Sequence, residues 1–307
     1  MRALQLVTTP RPFFDQQRRA LERVGVECRT VAVHRSTAGA DRSAAEYLGF
    51  LPRTLRRALD RFDVVHANHG LTAPFALAQP TRPVVLTFWG SDLLGDQTPL
   101  HRAVRRSSRL TARLADAVVV PTTDMAARLD VASTVVPFGV DTTRFRPIPR
   151  AEARARVGWP ADGDVALFAA DPARPEKDVA RAEAVAERAG AQLKVVSSVP
   201  HRSMPDYLNA SDLLLVTSRH ESGPMVVKEA AACNVPVVST DVGFVSEVLD
   251  GVANSAVCGD TDGLVEAVER VLASDRRSDG RSAVSGLDLE AMGRALRRVY
   301  DRSLAGR

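Results

Sequence analysis

The chain has 307 residues, a net charge of +4, 45% hydrophobic and 25% charged residues. That is room for one large domain or two ordinary ones, with the composition of a globular protein and not of a disordered or fibrous one. No run approaches the ~18 uninterrupted apolar residues of a membrane-spanning helix. Cys28, Cys233 and Cys258 lie far apart without C-x-x-C spacing, which argues against a disulfide framework or a zinc site and for buried thiols.

In chain order, the opening MRALQLVTTP is too short and too polar after Val7 for a signal peptide and reads as a strand, so a cytoplasmic protein is expected. Strand-length apolar runs then follow: LQLVTT (4–9), ECRTVAV (27–33), DVVHAN (63–68), PVVLTF (83–88) and DAVVVPT (116–122). Between them lie helical stretches such as FDQQRRALERVG and LHRAVRRSSRLTARLA. The stretch 138–164 is rich in Pro, Arg and Gly and places a linker near 140–162. Beyond it the scheme repeats, with DVALFAA (164–170), QLKVVSS (192–198), DLLLVTS (212–218), VPVVSTD (235–241) and NSAVC (254–258). Helices are expected near 178–189, 203–210, 224–233, 243–249 and 261–273. Short continuous apolar strands alternating with helices indicate an α/β protein with parallel sheets covered on both faces, each half a doubly wound unit. The expected division is a first domain over 1–145, a second over 146–285, and a final helix over 286–307 packed at their junction, with Leu289, Met292, Leu296 and Val299 on one face.

The net charge hides an asymmetry. Residues 1–150 hold 22 Lys and Arg against 13 Asp and Glu, whereas residues 151–307 hold 19 against 24. A basic first half suits an anionic membrane surface or a lipid-phosphate substrate. An arginine-rich solvated surface reads the same way, and only three lysines occur. The arginines lack interleaved aromatics, which argues against nucleic acid.

Chemistry concentrates in residues 221–249, ESGPMVVKEAAACNVPVVSTDVGFVSEVL. Glu221 and Glu229 stand eight positions apart, on either side of a Gly-Pro turn and a helix start. Unpartnered N–H groups and the helix dipole make such a start receptive to phosphate. A carboxylate at each end can hold hydroxyls of a ribose and of a sugar, so the ligand inferred is a sugar nucleotide. G-x-G-x-x-G after a strand, a P-loop and G-x-S-x-G are all missing, which argues against nicotinamide enzymes, P-loop kinases and serine hydrolases. Asp162-Gly163-Asp164 has the form of a metal-binding D-x-D, but it falls in a turn before a strand and is read as a solvated turn.

These segments resemble the retaining glycosyltransferases of family 4. The E-x(7)-E motif of that family matches Glu221 and Glu229, in a stretch closer to its SPNVVKEAMACN variety than to the commoner FGLVxLEAMAxG. PFGVDTTRFRP (137–147) is similar to the family's interdomain segment and ARPEKD (173–178) to its donor-phosphate loop. DVVHANHGLTA (63–73) and PVVLTFWGSDL (83–93) also agree. The resemblance implies the GT-B fold, two Rossmann-like domains facing across a cleft. It also implies transfer of a sugar from a nucleoside-diphosphate sugar to a hydroxyl, with retention and without a required metal or other cofactor.

On the donor side the resemblance places Glu229 at the ribose and Glu221 near the sugar hydroxyls and anomeric region. Ser222 and the amides of Gly223, Met225 and Val226 then lie toward sugar and phosphates. Lys177 stands at the diphosphate, where a fixed cation stabilises the departing group. The family's Arg six residues earlier is here Asp171, and Arg174 is the candidate replacement. On the acceptor side Trp89 occupies the family's usual His position, so a proton-transfer role does not carry over; a Trp can stack on a sugar or wall the pocket. His66, His69, Gly90 and Asp92 complete that side, following strand ends where such sheets bind ligands; His66 and His69 read equally as structural hydrogen-bonding groups, and Asp92 as a cap of the next helix. The glycine-rich loop of many relatives is replaced after the first strand by VTTPRPFFDQQ. Partners implied are the nucleotide sugar, a sugar, lipid-linked or small-molecule acceptor, and an inner membrane face touched through the basic first domain. Two alternatives share this reading: a sugar-nucleotide epimerase of the same fold and a non-catalytic nucleotide-sugar-binding protein.

Overall fold

The computed structural model describes residues 1–33, 44–94, 99–221 and 223–306. The chain divides into two units, one of 1–139 with 289–307 and one of 140–288. The boundary thus falls between Gly139 and Val140, a few residues before the one expected.

The first unit carries β1 (Arg2–Val7), β2 (Glu27–Ala32), β3 (Val64–Asn68), β4 (Val84–Thr87), β5 (Ala117–Val120) and β6 (Thr134–Val135). They form one parallel sheet in the order β2-β1-β3-β4-β5-β6. Its helices are α1 (Pro12–Arg23), α2 (Ala44–Ala58), α3 (Ala73–Ala78), α4 (Ser91–Leu94), α5 (Pro99–Leu114) and α6 (Thr123–Ala127). Period-two alternation sorts the strands: Leu4, Leu6, Val65 and Ala67 join a core with Phe50 of α2, Ala73 of α3 and Ala112 of α5. The two-residue β6 is too short to leave a pattern and was not among the expected strands.

The second unit carries β7 (Val165–Phe168), β8 (Gln192–Val195), β9 (Leu213–Val216), β10 (Val237–Thr240) and β11 (Ala256–Cys258), parallel in the order β11-β10-β9-β7-β8. Its helices are α7 (Arg150–Val157), α8 (Val179–Arg188), α9 (Met204–Ala210), α10 (Met225–Ala232), α11 (Val245–Leu249), α12 (Thr261–Ser274) and α13 (Gly280–Ala283). One core lies between the sheet and α9, α10 and α11; the other lies against α8 and α12. The order in which strands are added reverses between β7 and β9, and ligands of such sheets bind outside the carboxyl ends of the strands at this point. The segment read as linker contributes α7, whose buried Arg154 pairs with Asp212 at 2.8 Å.

The last helix, α14 (Leu289–Ala305), belongs to the first unit and packs on α1. Gly293 permits the approach, since a Cβ there would sit 2.4 Å from the Ala20 carbonyl oxygen.

Candidate active site

In the second unit the loops after β7 and β9 meet at the reversal point. Lys177 ends a short 3₁₀ turn, Pro175–Lys177, followed by Asp178 at φ 53°. The turn is tied to the end of β9: the Thr217 hydroxyl donates to the carbonyls of Lys177 (3.0 Å) and Asp178 (2.9 Å), and the Arg219 amide donates to the Glu176 carbonyl (2.8 Å). So anchored, Lys177 Nζ forms an ion pair with Glu221 Oε1, both side chains being mostly buried. The Ser218 hydroxyl donates to the same oxygen at 3.1 Å. A small pocket here is lined by Lys177, Ser218, Glu221, Pro224 and Val226.

The chain then enters α10. Ser222 lies outside the described residues. Gly223 has φ 156° and runs against Phe244, whose ring a Cβ would meet at 2.2 Å; no other residue fits there without displacing that ring. Pro224 takes the N-cap position, one place earlier than the first-turn position expected, and Met225 and Val226 open the helix. The amide of Val227 is already bonded to the Pro224 carbonyl at 3.0 Å. Glu229 is buried on α10 and lies 2.7 Å from His201 Nε2. Lys228 is buried with its ammonium 4.1 Å from the centre of the Phe244 ring, and burial pushes its pKa down to about 8.

Two differences from the sequence reading stand out in this unit. Arg174 is half exposed and its side chain pairs with Glu176 at the surface, whereas the Lys177 ammonium pairs with Glu221. His201, not foreseen, is the direct partner of Glu229. It stands beyond the end of β8, at the start of the 3₁₀ turn His201–Ser203.

In the first unit, Trp89, Gly90 and His69 lie just past the ends of β4 and β3. His69 (φ 97°) accepts from the Leu71 amide through Nδ1 at 3.2 Å. Its ring meets Trp89 edge-on with centroids 5.9 Å apart, and Trp89 meets Phe13 at 4.5 Å. Phe13 in turn lies 5.3 Å from Phe138. The segment that replaces a glycine-rich loop thus supplies aromatic bulk. Asp92 was expected to face an acceptor; instead it is fully buried and accepts from the amides of Gly70 (2.8 Å), Trp89 (3.1 Å) and Gly90 (2.9 Å). It clamps the two loops together.

His66 is also a correction. With 0% exposure it presents no surface to a ligand. Its Nδ1 lies 2.6 Å from the Tyr300 hydroxyl and its Nε2 2.6 Å from the Thr87 hydroxyl. The Tyr300 oxygen also accepts from Gln5 Nε2 at 3.0 Å, so both ring nitrogens of His66 lie within one buried hydrogen-bonded chain. Burial pushes His66 down from 6.5 to about 3. The native chain takes this proton only near the lower value, the unfolded chain near the higher. Stability from this site is therefore complete above 6.5 and is lost as pH falls toward 3, with a slope of up to about 1.4 kcal/mol per unit. A His66→Gln variant is expected to be less stable at pH 7 yet to show a flatter pH dependence across that window in urea melts. An unchanged slope would show that His66 does not carry it.

Residues 6–144 match the family model "Glycosyltransferase Family 4", and residues 160–283 match "Glycosyl transferases group 1". The chain is 29% identical over 311 residues to D-inositol 3-phosphate glycosyltransferase 1 of Catenulispora acidiphila, covering 81% of this chain and 74% of that one. It is 29% identical over 238 residues to a lipopolysaccharide core biosynthesis mannosyltransferase of Rhizobium meliloti, covering 63% and 68%. Among solved structures, sucrose-phosphate synthase from Thermosynechococcus elongatus superposes over 100% of both chains with a TM-score of 0.78 at 17% identity. Anabaena HepE in complex with UDP-glucose gives a TM-score of 0.73 at 15% identity, over 98% of this chain and 100% of that one. Each unit thus matches a glycosyltransferase family model, family 4 in the first and group 1 in the second, and the whole chain shares the fold of both neighbours.

Proposed function

We propose that this glycosyltransferase takes a nucleoside-diphosphate sugar at the carboxyl ends of β7 and β9 and moves the sugar to a hydroxyl with retention at the anomeric carbon. The observation that carries this reading is the Lys177–Glu221 ion pair at the entry to α10, the helix that carries Glu229 paired with His201. The Lys177–Glu221 ion pair is the resting arrangement. An arriving diphosphate takes over the ammonium, which releases the Glu221 carboxylate to accept from sugar hydroxyls. Glu229, oriented by His201, accepts from the ribose hydroxyls. The bond from the anomeric carbon to the diphosphate oxygen then breaks as the acceptor oxygen bonds on the same face. The acceptor proton passes to the departing diphosphate oxygen, and Lys177 stabilises the charge that collects there. No metal is assigned a part.

The acceptor is a sugar, a lipid-linked sugar or a small metabolite. Relatives named for lipopolysaccharide core and teichuronic acid biosynthesis favour a glycan, polysaccharide or glycolipid product. Among the described residues no helix is long and apolar enough to cross a membrane. The reading places the enzyme in the cytoplasm, in peripheral contact with the inner membrane face.

Thermal-shift titration with UDP-, GDP- and ADP-sugars tests the donor site. A bound donor at a hundred times its dissociation constant adds about 2.7 kcal/mol of stability. Glu229→Ala removes two charge-assisted hydrogen bonds and is expected to weaken donor binding by about 10²-fold. A donor that stabilises wild type and Glu229→Ala equally would remove Glu229 from the site.

A further inference from the structure

The helices α2, α3 and α5 pack on one core and so cover the same face of the first unit's sheet. The outer side of this layer departs from an ordinary solvated surface in two independent ways. Leu48 (78% exposed), Leu59 (77%), Leu110 (58%) and Leu114 (62%) are its most exposed large apolar side chains. They are ordered, not scattered: Leu48 lies seven residues before the exposed Leu55, Leu55 four before Leu59, and Leu110 four before Leu114, which are helical-stripe spacings. The charge between them is also one-sided. In α2 three arginines stand against one glutamate, and in α5 five arginines stand with no acidic residue. Arg113 pairs with Asp130 and Arg57 with Asp60, whereas the exposed Arg56, Arg102 and Arg106 have no ion-pair partner among the described residues. Leucines beside unneutralised arginines on a helix lying along a surface fit an interface that is anionic outside and apolar just beneath, which is a bilayer headgroup region.

We propose that the outer face of α2 and α5 docks this enzyme on an anionic lipid bilayer, the leucines entering the headgroup boundary and the arginines meeting lipid phosphates. This gives a location to the membrane contact included in the functional reading above. The net charge of residues 151–307, 19 Lys and Arg against 24 Asp and Glu, is repelled by the same surface and so helps to orient the molecule.

Flotation of the full chain with phosphatidylglycerol-rich and with pure phosphatidylcholine vesicles tests it. Capture by the first and not the second is expected, weakening as salt is raised. Arg102→Gln with Arg106→Gln should lower partitioning about 25-fold, at about five-fold per arginine. Leu110→Ser with Leu114→Ser should lower it about ten-fold or more at unchanged charge. All four side chains are exposed, so melting temperatures and the thermal shift given by a donor sugar nucleotide are expected to stay at wild-type values in both variants. That readout separates failure of docking from failure of the donor-site assignment. Equal capture by both vesicle types, wild-type partitioning in either variant, or retention of duplex DNA without vesicle capture would overturn the proposal.

Discussion

Replacing Lys177 by methionine is expected to lower kcat by about 10² to 10³-fold, the loss typical when one fixed stabiliser of transition-state charge is removed. The position is held by backbone contacts, since Thr217 and Arg219 bond to the turn's carbonyls and not to the lysine side chain. The fold of the loop should therefore survive the change. Methionine keeps most of the length of the stem and removes the charge alone. Glu221 keeps its bond from the Ser218 hydroxyl, so the stability cost stays small beside the kinetic one. Because the ammonium gains most when the diphosphate departs, kcat should fall far more than KM rises. Arg174→Met is the control within the same loop. Its guanidinium is paired with Glu176 at the surface, and its removal is expected to change kcat by less than about three-fold, as for exposed ion pairs generally. A Lys177→Met enzyme within five-fold of wild type, or an Arg174→Met enzyme as impaired as Lys177→Met, would reverse these assignments.

The residues proposed to hold the donor were legible because most sit close together in sequence, on one loop and one helix whose start is marked by Gly223-Pro224. Lys177 was legible through its own motif, and the fold brings it to Glu221 because the β7 and β9 loops flank the point where strand order reverses. Most strands were legible from short apolar runs; β2 (ECRTVA) and β8 (QLKV) carry charged residues within them, and β6 is two residues long. What failed to show is which face of a strand a polar residue takes and what covers that face. His66 alternates with Val65 and Ala67, which lie in the α2–α5 core. It therefore points to the other side, and there Tyr300 of α14 seals it from 234 positions away. No local pattern carries that information. The same polar layer continues through Gln5, Asn68 and Gln17, with Asn68 Nδ2 donating to Gln5 at 2.8 Å and Gln17 Nε2 donating to Asn68 at 2.6 Å. Read singly, these residues resemble a ligand site; read together, they are a satisfied buried network. His201 shows the reverse failure, since its partner Glu229 lies 28 positions downstream and neither residue marks the other in sequence.

Asp92→Ala is expected to destabilise the first unit by about 3–5 kcal/mol, equivalent to a fall in melting temperature of roughly 10 °C. The carboxylate is fully buried and accepts from three backbone amides, those of Gly70, Trp89 and Gly90. Alanine leaves these N–H groups without their acceptor in a place water does not reach, and it is this loss, not a lost side-chain contact, that sets the cost. Neighbouring geometry limits relaxation. Gly90 sits at φ 123°, and a Cβ on Gly70 would lie 2.0 Å from the Ser108 hydroxyl oxygen, so neither loop has room to find a new partner. Asparagine keeps one acceptor oxygen but turns an NH₂ group toward amides that are themselves donors, so Asp92→Asn should recover less than half of the loss. The two loops also carry His69 and Trp89, so affinity for the proposed acceptor should weaken along with stability, while affinity for the donor, assigned above to the other unit, should hold. Hydrogen exchange gives the sharpest reading. The Gly70, Trp89 and Gly90 amides should lose protection in Asp92→Ala far more than the strand amides of β3 and β4. Protection that falls evenly across the sheet, or a destabilisation under 1 kcal/mol, would mean that Asp92 does not tie the two loops.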